Sequence, residues 1–287
     1  MGALIGALDK RLNREPLAGP VRKRRGVVAL VILLLVVGVP TAIVAWLLRQ
    51  VPGGWVVEAV LATTLLAQKA LGRAVRAVAK GLDRSLGEGR AAVRHIVGRD
   101  PEALDEAGVA RAAIESLAEN ASDGVIAPLF WLLLLGLPGI ALYKAVNTAD
   151  SMIGHRSAKY LDYGWASARF DDLLNWIPAR LTGLLLVAAA VLVPGARSAA
   201  AWETMLSDAG KHDSPNAGWP EAAMAGALGV ALGGPRAYDG EVHALPALGR
   251  GRVALDAGDI DRALRLYGVM LNLALAVCVV LAVLFRR

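Results

Sequence analysis

Three groups of polar residues stand where so apolar a chain would not be expected to keep them, and each has a spacing that could do chemistry. Glu115 and Glu119 are one helical turn apart and share a face, with Asn120 and Asp123 just beyond. Like charges at that spacing repel unless a cation or cationic substrate sits between them, so a magnesium or amine site is the functional reading and a solvated helix face the plain one. Lys144, Asn147, Asp150 and Ser151 recur at helical steps where an apolar stretch ends. Ionisable groups at membrane depth are costly and usually have a partner or a task, although the long Lys144 side chain could also snorkel to the interface. In the third group, Asp171 or Asp172 with Asn175 one turn on offers oxygen ligands of the kind that hold magnesium against phosphates. Arg169 and Arg180 beside them can make bidentate phosphate or carboxylate contacts. An acid-decorated helix start would explain the aspartate pair alone. All the groups together, flanking apolar helices, point to one catalytic pocket.

A fourth region, Lys211 to Glu221, is turn-rich and contains Ser214, Asn216 and Glu221. It opens an apolar helix predicted over Ala222 to Leu232, with Pro220 suited to the first turn and Gly233-Gly234-Pro235 ending it. A loop at a helix start could hold an anion. His95, His155, His212 and His243 lack metal spacing, so zinc is not expected. The single cysteine, Cys278, falls in the last apolar run, where a packed or lipid-facing thiol is expected, with no disulfide framework.

The elements that must position these groups are helices, and the fold class predicted is all-α, a polytopic integral membrane protein with polar loops on the cytoplasmic side. Residues 27–48 carry no charge and at about 1.5 Å per residue cover the ~30 Å hydrocarbon core, with Pro40 expected to kink them. Arg22-Lys23-Arg24-Arg25 before them marks a cytoplasmic start. After the turn at Pro52-Gly53-Gly54, residues 55–71 read as a return helix. From Lys69 to Arg99 the chain is basic, with Leu71, Val75, Val78 and Leu82 at helical spacing, as in a helix that leaves the bilayer or lies on anionic headgroups. A helix is predicted from Asp100-Pro101 to about Ala121. The run from Gly124 to Ile153 is broken by Gly136-Leu137-Pro138-Gly139, and arms of about a dozen residues, roughly 18 Å each, are too short to cross. A re-entrant helical hairpin is therefore expected, with one tilted, kinked span as the alternative. Leu181 to Val193 is another short apolar segment, and residues 268–285, followed by Arg286-Arg287, form the last span. The whole reads as a single membrane domain, with residues 96–249 as its catalytic region.

Composition agrees. The chain has 287 residues, 56% of them hydrophobic, and a mean hydropathy of +0.49, too apolar for a typical soluble domain. A net charge of +6 could suggest nucleic acid, but the basic residues lie beside apolar runs without aromatic interleaving, so they read as topology signals and no nucleic-acid partner is expected.

The segments Ile96 to Leu104 (IVGRDPEAL), Glu115 to Pro128 (ESLAENASDGVIAP), Tyr143 to Gly154 (YKAVNTADSMIG), Tyr160 to Leu181 (YLDYGWASARFDDLLNWIPARL) and Ser214 to Gly234 (SPNAGWPEAAMAGALGVALGG) together resemble the CobD/CbiB family of adenosylcobinamide-phosphate synthases. The resemblance implies an inner-membrane ligase of cobalamin biosynthesis, joining adenosylcobyric acid, a corrinoid, to (R)-1-amino-2-propanol or its phosphate. ATP is the implied co-substrate and Mg2+ the implied metal. On that chemistry Glu119, Asp123, Lys144 and Asp150 are the expected catalytic residues. Asn120, Asn147, Ser151, Arg169, Arg180, Ser214, Asn216 and Glu221 are expected to bind substrate, and Asp171, Asp172 and Asn175 to hold the metal. Partners would be the two substrates, the bilayer and other cobalamin-pathway enzymes. The family usually has a further apolar segment and an Asp-Pro…His-Pro-Val motif upstream of Met1-Gly2, so Met1 is expected to be an internal start. His155 stands where the family has a tyrosine, so no essential imidazole is expected there. AmpE-like membrane proteins share a distant likeness, but the SPN and DSM blocks favour the synthase. Rival readings are a magnesium-dependent transferase of isoprenoid diphosphates, for which a second acidic motif is lacking, and a non-enzymatic corrinoid-binding scaffold.

Overall fold

A computed structural model describes residues 1–14, 17–97, 101–234, 236–238, 241–243 and 246–284. Its helices are α1 (Gly2–Leu12), α2 (Gly19–Arg49), α3 (Gly54–Thr63), α4 (Gln68–Leu82), α5 (Leu86–Val93), α6 (Glu106–Ala121), α7 (Ala127–Ile153), α8 (Trp165–Leu192), α9 (Ser198–Asp208), α10 (Gly218–Leu228) and α11 (Ala257–Leu284). A π-helical turn, Ser122–Ile126, joins α6 to α7. The strands β1 (Leu232–Gly233), β2 (Arg236–Tyr238), β3 (Glu241–His243) and β4 (Ala247–Leu248) pair antiparallel, β1 with β4 and β2 with β3. The fold is that of a polytopic helical membrane protein. Among the described residues, four helical stretches are long and apolar enough to cross a bilayer: Gly19–Arg49, Glu106–Ile153, Trp165–Leu192 and Ala257–Leu284.

The contacts divide the chain into two compact units. The first contains Met1–Leu66 and Ala127–Trp176. Its α2 turns Val28, Leu35, Val39 and Trp46 outward, as a helix facing lipid does, and buries Ala29 and Leu33 with Ile5, Ala145, Ala149 and Tyr163. Arg22, the first of the basic tetrad, is 9% exposed. It donates to the Asn13 Oδ1 at 3.0 Å, to the Ala158 carbonyl at 3.4 Å and to the Lys159 carbonyl, and so fastens the 154–164 loop to the amino-terminal helix. Lys23 lies 3.6 Å from the Trp165 ring centroid, a cation–π contact.

α7 is two arms joined at Gly136, whose φ of +65° is open to glycine and strained for other residues. The chain doubles back there so closely that a Cβ on Gly139 would overlap the Trp131 carbonyl oxygen. Glu58 secures the turn by accepting the Leu137 N–H at 3.1 Å. The helical hairpin is therefore present, with arms of unequal length on either side of Gly136.

The second unit contains Ala67–Ile126 and the chain from Ile177 on. Its core joins Val75 and Val78 of α4, Ile114 and Leu117 of α6, Met205 of α9, Met224 of α10, and Ile260 and Met270 of α11. Full burial of such side chains contributes about 1.5–3 kcal/mol each where it removes them from water. Small residues, among them Ala110, Ala113, Ala118, Ala223 and Ala227, let the helices approach closely.

Several boundaries differ from the sequence reading. Residues 55–71 are not one helix: Thr63 and Thr64 turn their hydroxyls back onto the carbonyls of Val60 and Leu61, both at 2.7 Å, and the chain breaks before α4 begins. The apolar stripe of α4 packs into the protein core, not onto headgroups, while Lys69, Arg73, Arg76 and Lys80 face outward. α6 starts at Glu106 because Asp105 caps it, accepting the Gly108 N–H at 2.7 Å; Asp100 lies outside the described residues. Residues 181–192 are the second part of the 28-residue α8, with Val193 just beyond its end, so the shortness expected of them fails. α10 spans Gly218–Leu228 and ends on Gly229 at φ +67°, because that glycine supplies the left-handed cap before the strand. Pro235, Arg286 and Arg287 lie outside the described residues. α11 begins at Ala257, where Asp256 and Asp259 exchange hydrogen bonds with each other's backbone N–H groups, both at 3.1 Å.

Candidate functional site

In the first unit the structure brings the second and third polar groups together. The second arm of α7 presents Tyr143, Lys144, Asn147, Asp150 and Ser151, and the start of α8 presents Arg169, Asp171, Asp172 and Asn175. The Tyr143 hydroxyl donates to the Asn175 Oδ1 at 2.8 Å, and the Asn175 Nδ2 donates to the Asp171 Oδ2 at 2.9 Å. The Asn147 Nδ2 reaches the Asp171 Oδ1 at 3.4 Å, and the Lys144 Nζ reaches the Asn147 Oδ1 at 3.4 Å. The result is a polar chain of Tyr143, Asn175, Asp171, Asn147 and Lys144, in which Tyr143, Asp171 and Asn175 are buried. Buried polar groups are tolerated when each has a partner, and this chain supplies them. Tyr143 was missed among the site residues because the sequence offers it as one more aromatic of an apolar arm.

The third group divides on inspection. Asp171 holds amides with both oxygens, and the Asn175 carbonyl accepts from Tyr143. Asp172 is partly exposed and lies 3.6 Å from Arg169. Asp150 is within electrostatic reach of both aspartates. Among the described residues no three His, Cys, Asp or Glu side chains form a complete metal site. Magnesium, however, takes one or two carboxylates and completes its shell with water and substrate phosphates. Asp172 and Asp150 fit that role. The Ser151 hydroxyl returns to its own helix, on the Asn147 carbonyl at 2.9 Å.

The second unit holds the rest. Glu115 is 4% exposed and its Oε1 accepts the Gly233 N–H at 2.6 Å, so it pins β1, whereas Glu119, one turn on, is exposed. Of that pair, Glu115 thus clamps β1 while Glu119 lies at the surface. Asn120 donates to the Ser116 carbonyl at 2.9 Å, and Asp123 lies in the π-turn, a local widening often found at functional positions. Arg180 stacks on Trp219, its Cζ 4.5 Å from the ring centroid. In the 211–221 loop the Ser214 Oγ accepts the N–H groups of Asn216 at 3.3 Å and Ala217 at 3.2 Å, while the Ser214 N–H donates to the His212 Nδ1 at 2.9 Å. That bond leaves the His212 Nε2 facing the buried Glu221 at 3.6 Å. Asn216 is buried beside them in the loop.

Asp208, a residue that sequence reading passed over, anchors this loop to the chain beyond. It accepts from the Lys211 Nζ at 2.5 Å, the Ser207 hydroxyl at 2.9 Å and the Gly249 N–H at 2.8 Å. Burial by itself would raise the Asp208 carboxyl, but those hydrogen bonds outweigh it and hold the group below its ordinary value. The three-residue spacing of Asp208 and Lys211 is the only sequence signal that could have found it.

Comparison with known proteins gives a concordant result. The family model described as CobD/Cbib protein matches residues 1–267. The chain is 52% identical over 294 aligned positions to a "Cobalamin biosynthesis protein CobD" of Sinorhizobium sp, covering 97% of this chain and 89% of that one. It is 50% identical over 272 positions to the protein of the same name from Rhodobacter capsulatus, covering 93% and 83%. A Brucella suis protein of that name is 54% identical over 223 positions, covering 77% and 68%. No solved structure matches.

Proposed function

Because this chain belongs to the CobD/CbiB family, we propose that it is the amide-forming ligase of cobalamin biosynthesis, joining adenosylcobyric acid to (R)-1-amino-2-propanol or its phosphate at the inner membrane. The observation that carries the reading is the polar chain from Tyr143 to Lys144, built across two otherwise apolar helices where ionisable groups are expensive without a task. An amide from a free carboxylate needs activation, and ATP as co-substrate provides it: a carboxylate oxygen takes the terminal phosphoryl group, ADP leaves, the amine attacks the acyl carbon, and phosphate departs.

Each unit has residues suited to one part of this sequence. In the first, Lys144 and Arg169 offer cations to the transferring phosphoryl group, and Asn147 and Asp171 fix the lysine stem's neighbourhood. Magnesium, when bound, neutralises charge on the ATP phosphates, and Asp172 with Asp150 are the carboxylates that would hold it. In the second, Glu119 or Asp123 takes the proton that the attacking amine releases. Arg180, Asn120, Ser214, Asn216 and Glu221 are the proposed substrate contacts, with Ser214 acting through the loop it closes.

The test is turnover by the full chain in detergent with adenosylcobyric acid, aminopropanol phosphate or aminopropanol, and magnesium ATP, read by mass spectrometry. A product heavier than the corrinoid by the amine less water, with one ADP per amide, is expected. Corrinoid binding without ATP-dependent product would sink the ligase reading and favour a scaffold.

A further inference from the structure

Lys69, Arg73, Arg76 and Lys80 stand exposed at helical steps along one face of α4, and the proposed chemistry uses none of them. The apolar stripe of the same helix is spent on the core, so its outer face is charge alone. The helix contains no acid to offset them. Among the described residues none of these four side chains takes a hydrogen bond or ion pair. The face begins beside a groove of about 480 Å³ between the start of α4, the end of α8 and α11, all within the second unit. Gln68, Arg265 and Asn272 give the groove its polar atoms, and Leu192, Val193 and Val269 its apolar wall. Tyr267 fixes α4 against α11 here, its hydroxyl donating to the Gln68 carbonyl at 3.2 Å, and Lys69 follows Gln68 directly.

The groove straddles the level at which α11 changes character. Asp259, Asp261, Arg262 and Arg265 fall in its first turns, and from Leu266 to Leu284 the helix carries no charge. Leu192, the last residue of α8, closes another apolar run at the same groove. The boundary between water and hydrocarbon belongs at such a change. Arg265 is exposed there and makes no ion pair, although Asp261 stands one turn before it; Asp259 is taken by Arg252 and Arg262. Asn272 lies two turns further along the same face, about 10 Å on, exposed and with its amide unbonded. An amide facing hydrocarbon is costly unless something accepts from it. The occupant that fits has an anion at one end, hydrogen-bond acceptors next and hydrocarbon beyond. A phospholipid has that order in its phosphate, ester carbonyls and acyl chains. A soluble phosphate would satisfy Arg265 and leave Asn272 and the apolar wall unused. Lys69 and Arg73 repel the cationic head of a zwitterionic lipid and so favour one with net negative charge.

We propose that this groove is a binding site for one anionic phospholipid, with the phosphate at Arg265, an ester carbonyl at the Asn272 amide and the basic face of α4 selecting for net negative charge. The second unit thereby holds its bilayer through a chosen lipid as well as through apolar contact, whatever reaction the chain performs.

Native mass spectrometry of the full chain in detergent tests it with three probes: dioleoyl phosphatidylglycerol, dioleoyl phosphatidylcholine and glycerol 3-phosphate. One phosphatidylglycerol per chain should be retained, at least about tenfold more tightly than either of the others. Arg265→Gln should weaken it by about fivefold or more, the effect of one charge at a headgroup, and Lys69→Gln/Arg73→Gln should also erode the preference over phosphatidylcholine. Asn272→Leu should weaken both lipids alike. Lys10→Gln, which removes the same charge from an exposed position in the first unit, should change nothing. Melting temperatures should hold, because these side chains make no internal hydrogen bonds. Equal retention of the two lipids by the wild type overturns the site, as does glycerol 3-phosphate binding as tightly as the lipid; neither result depends on a variant folding. Unchanged phosphatidylglycerol binding in Arg265→Gln or Asn272→Leu, or an equal loss in Lys10→Gln, overturns it too.

Discussion

Removing the Asp171 carboxylate leaves the amides of Asn147 and Asn175 without their acceptor at a position only 8% exposed. Asp171→Ala should therefore lose about 1–3 kcal/mol for the buried Asn175 amide, and less for the half-buried Asn147, seen as a lower melting temperature in detergent. Its neighbour Asp172 has a side chain 30% exposed, and Asp172→Ala should melt normally while losing the magnesium response of turnover. Equal melting losses from both variants would deny the division of labour. Lys144 separates charge from shape: arginine could snorkel as well, but a planar fork does not replace a compact ammonium facing Asn147. Lys144→Arg should lower kcat by roughly 10² to 10³, the size of a lost electrostatic contact, with insertion unaffected. Wild-type turnover in that variant would make the lysine an anchor. Asp208 yields a pH effect. Its native pKa lies below the ordinary 3.8, so its contribution to stability is complete above that value and is lost as pH falls through the lower native one. Melting temperature followed downward from pH 5 should drop in the wild type, and Asp208→Asn should remove that component of the slope.

Among the elements, the hairpin of α7 was legible because Gly136-Leu137-Pro138-Gly139 interrupts an apolar run whose arms cannot reach across a bilayer. The turn residue itself is testable. Gly136→Ala forces a Cβ into a positive-φ, extended-ψ conformation that essentially only glycine adopts, costing about 1–3 kcal/mol, and should reduce thermal stability in detergent, whereas Gly210→Ala, in open space at ordinary φ, should not. The α3–α4 break was not legible, since threonines in an apolar run look like helix until their hydroxyls are seen turned back on the carbonyls of Val60 and Leu61. Nor was the fate of Glu115, because periodicity gives its face but not the β1 N–H brought to it from 118 residues away. The polar groups were found as groups, since charge in apolar sequence is conspicuous. Their inner wiring was not, since Tyr143, Asn175 and Asp171 meet only through tertiary packing.

For the whole molecule, the basic tetrad predicts a cytoplasmic amino terminus, and a reaction that consumes ATP predicts a cytoplasmic 211–221 loop. In a Cys278→Ser background, single cysteines replacing Lys10 and Asp213 should resist an impermeant thiol reagent added to spheroplasts and react after permeabilisation. Labelling of either before permeabilisation would reverse that side of the topology. The buried Arg22 adds a dimension of time. Orientation is decided while the chain is entering the bilayer, before the later loop exists; the hydrogen bonds to Ala158 and Lys159 can form only after residues 154–164 have been made. One side chain is thus read twice, first as a charge by the insertion machinery and later as a shape by its own protein. Arg22→Lys should keep the first reading and lose the second: correctly oriented chains, with protease cleavage at Lys159 accelerated.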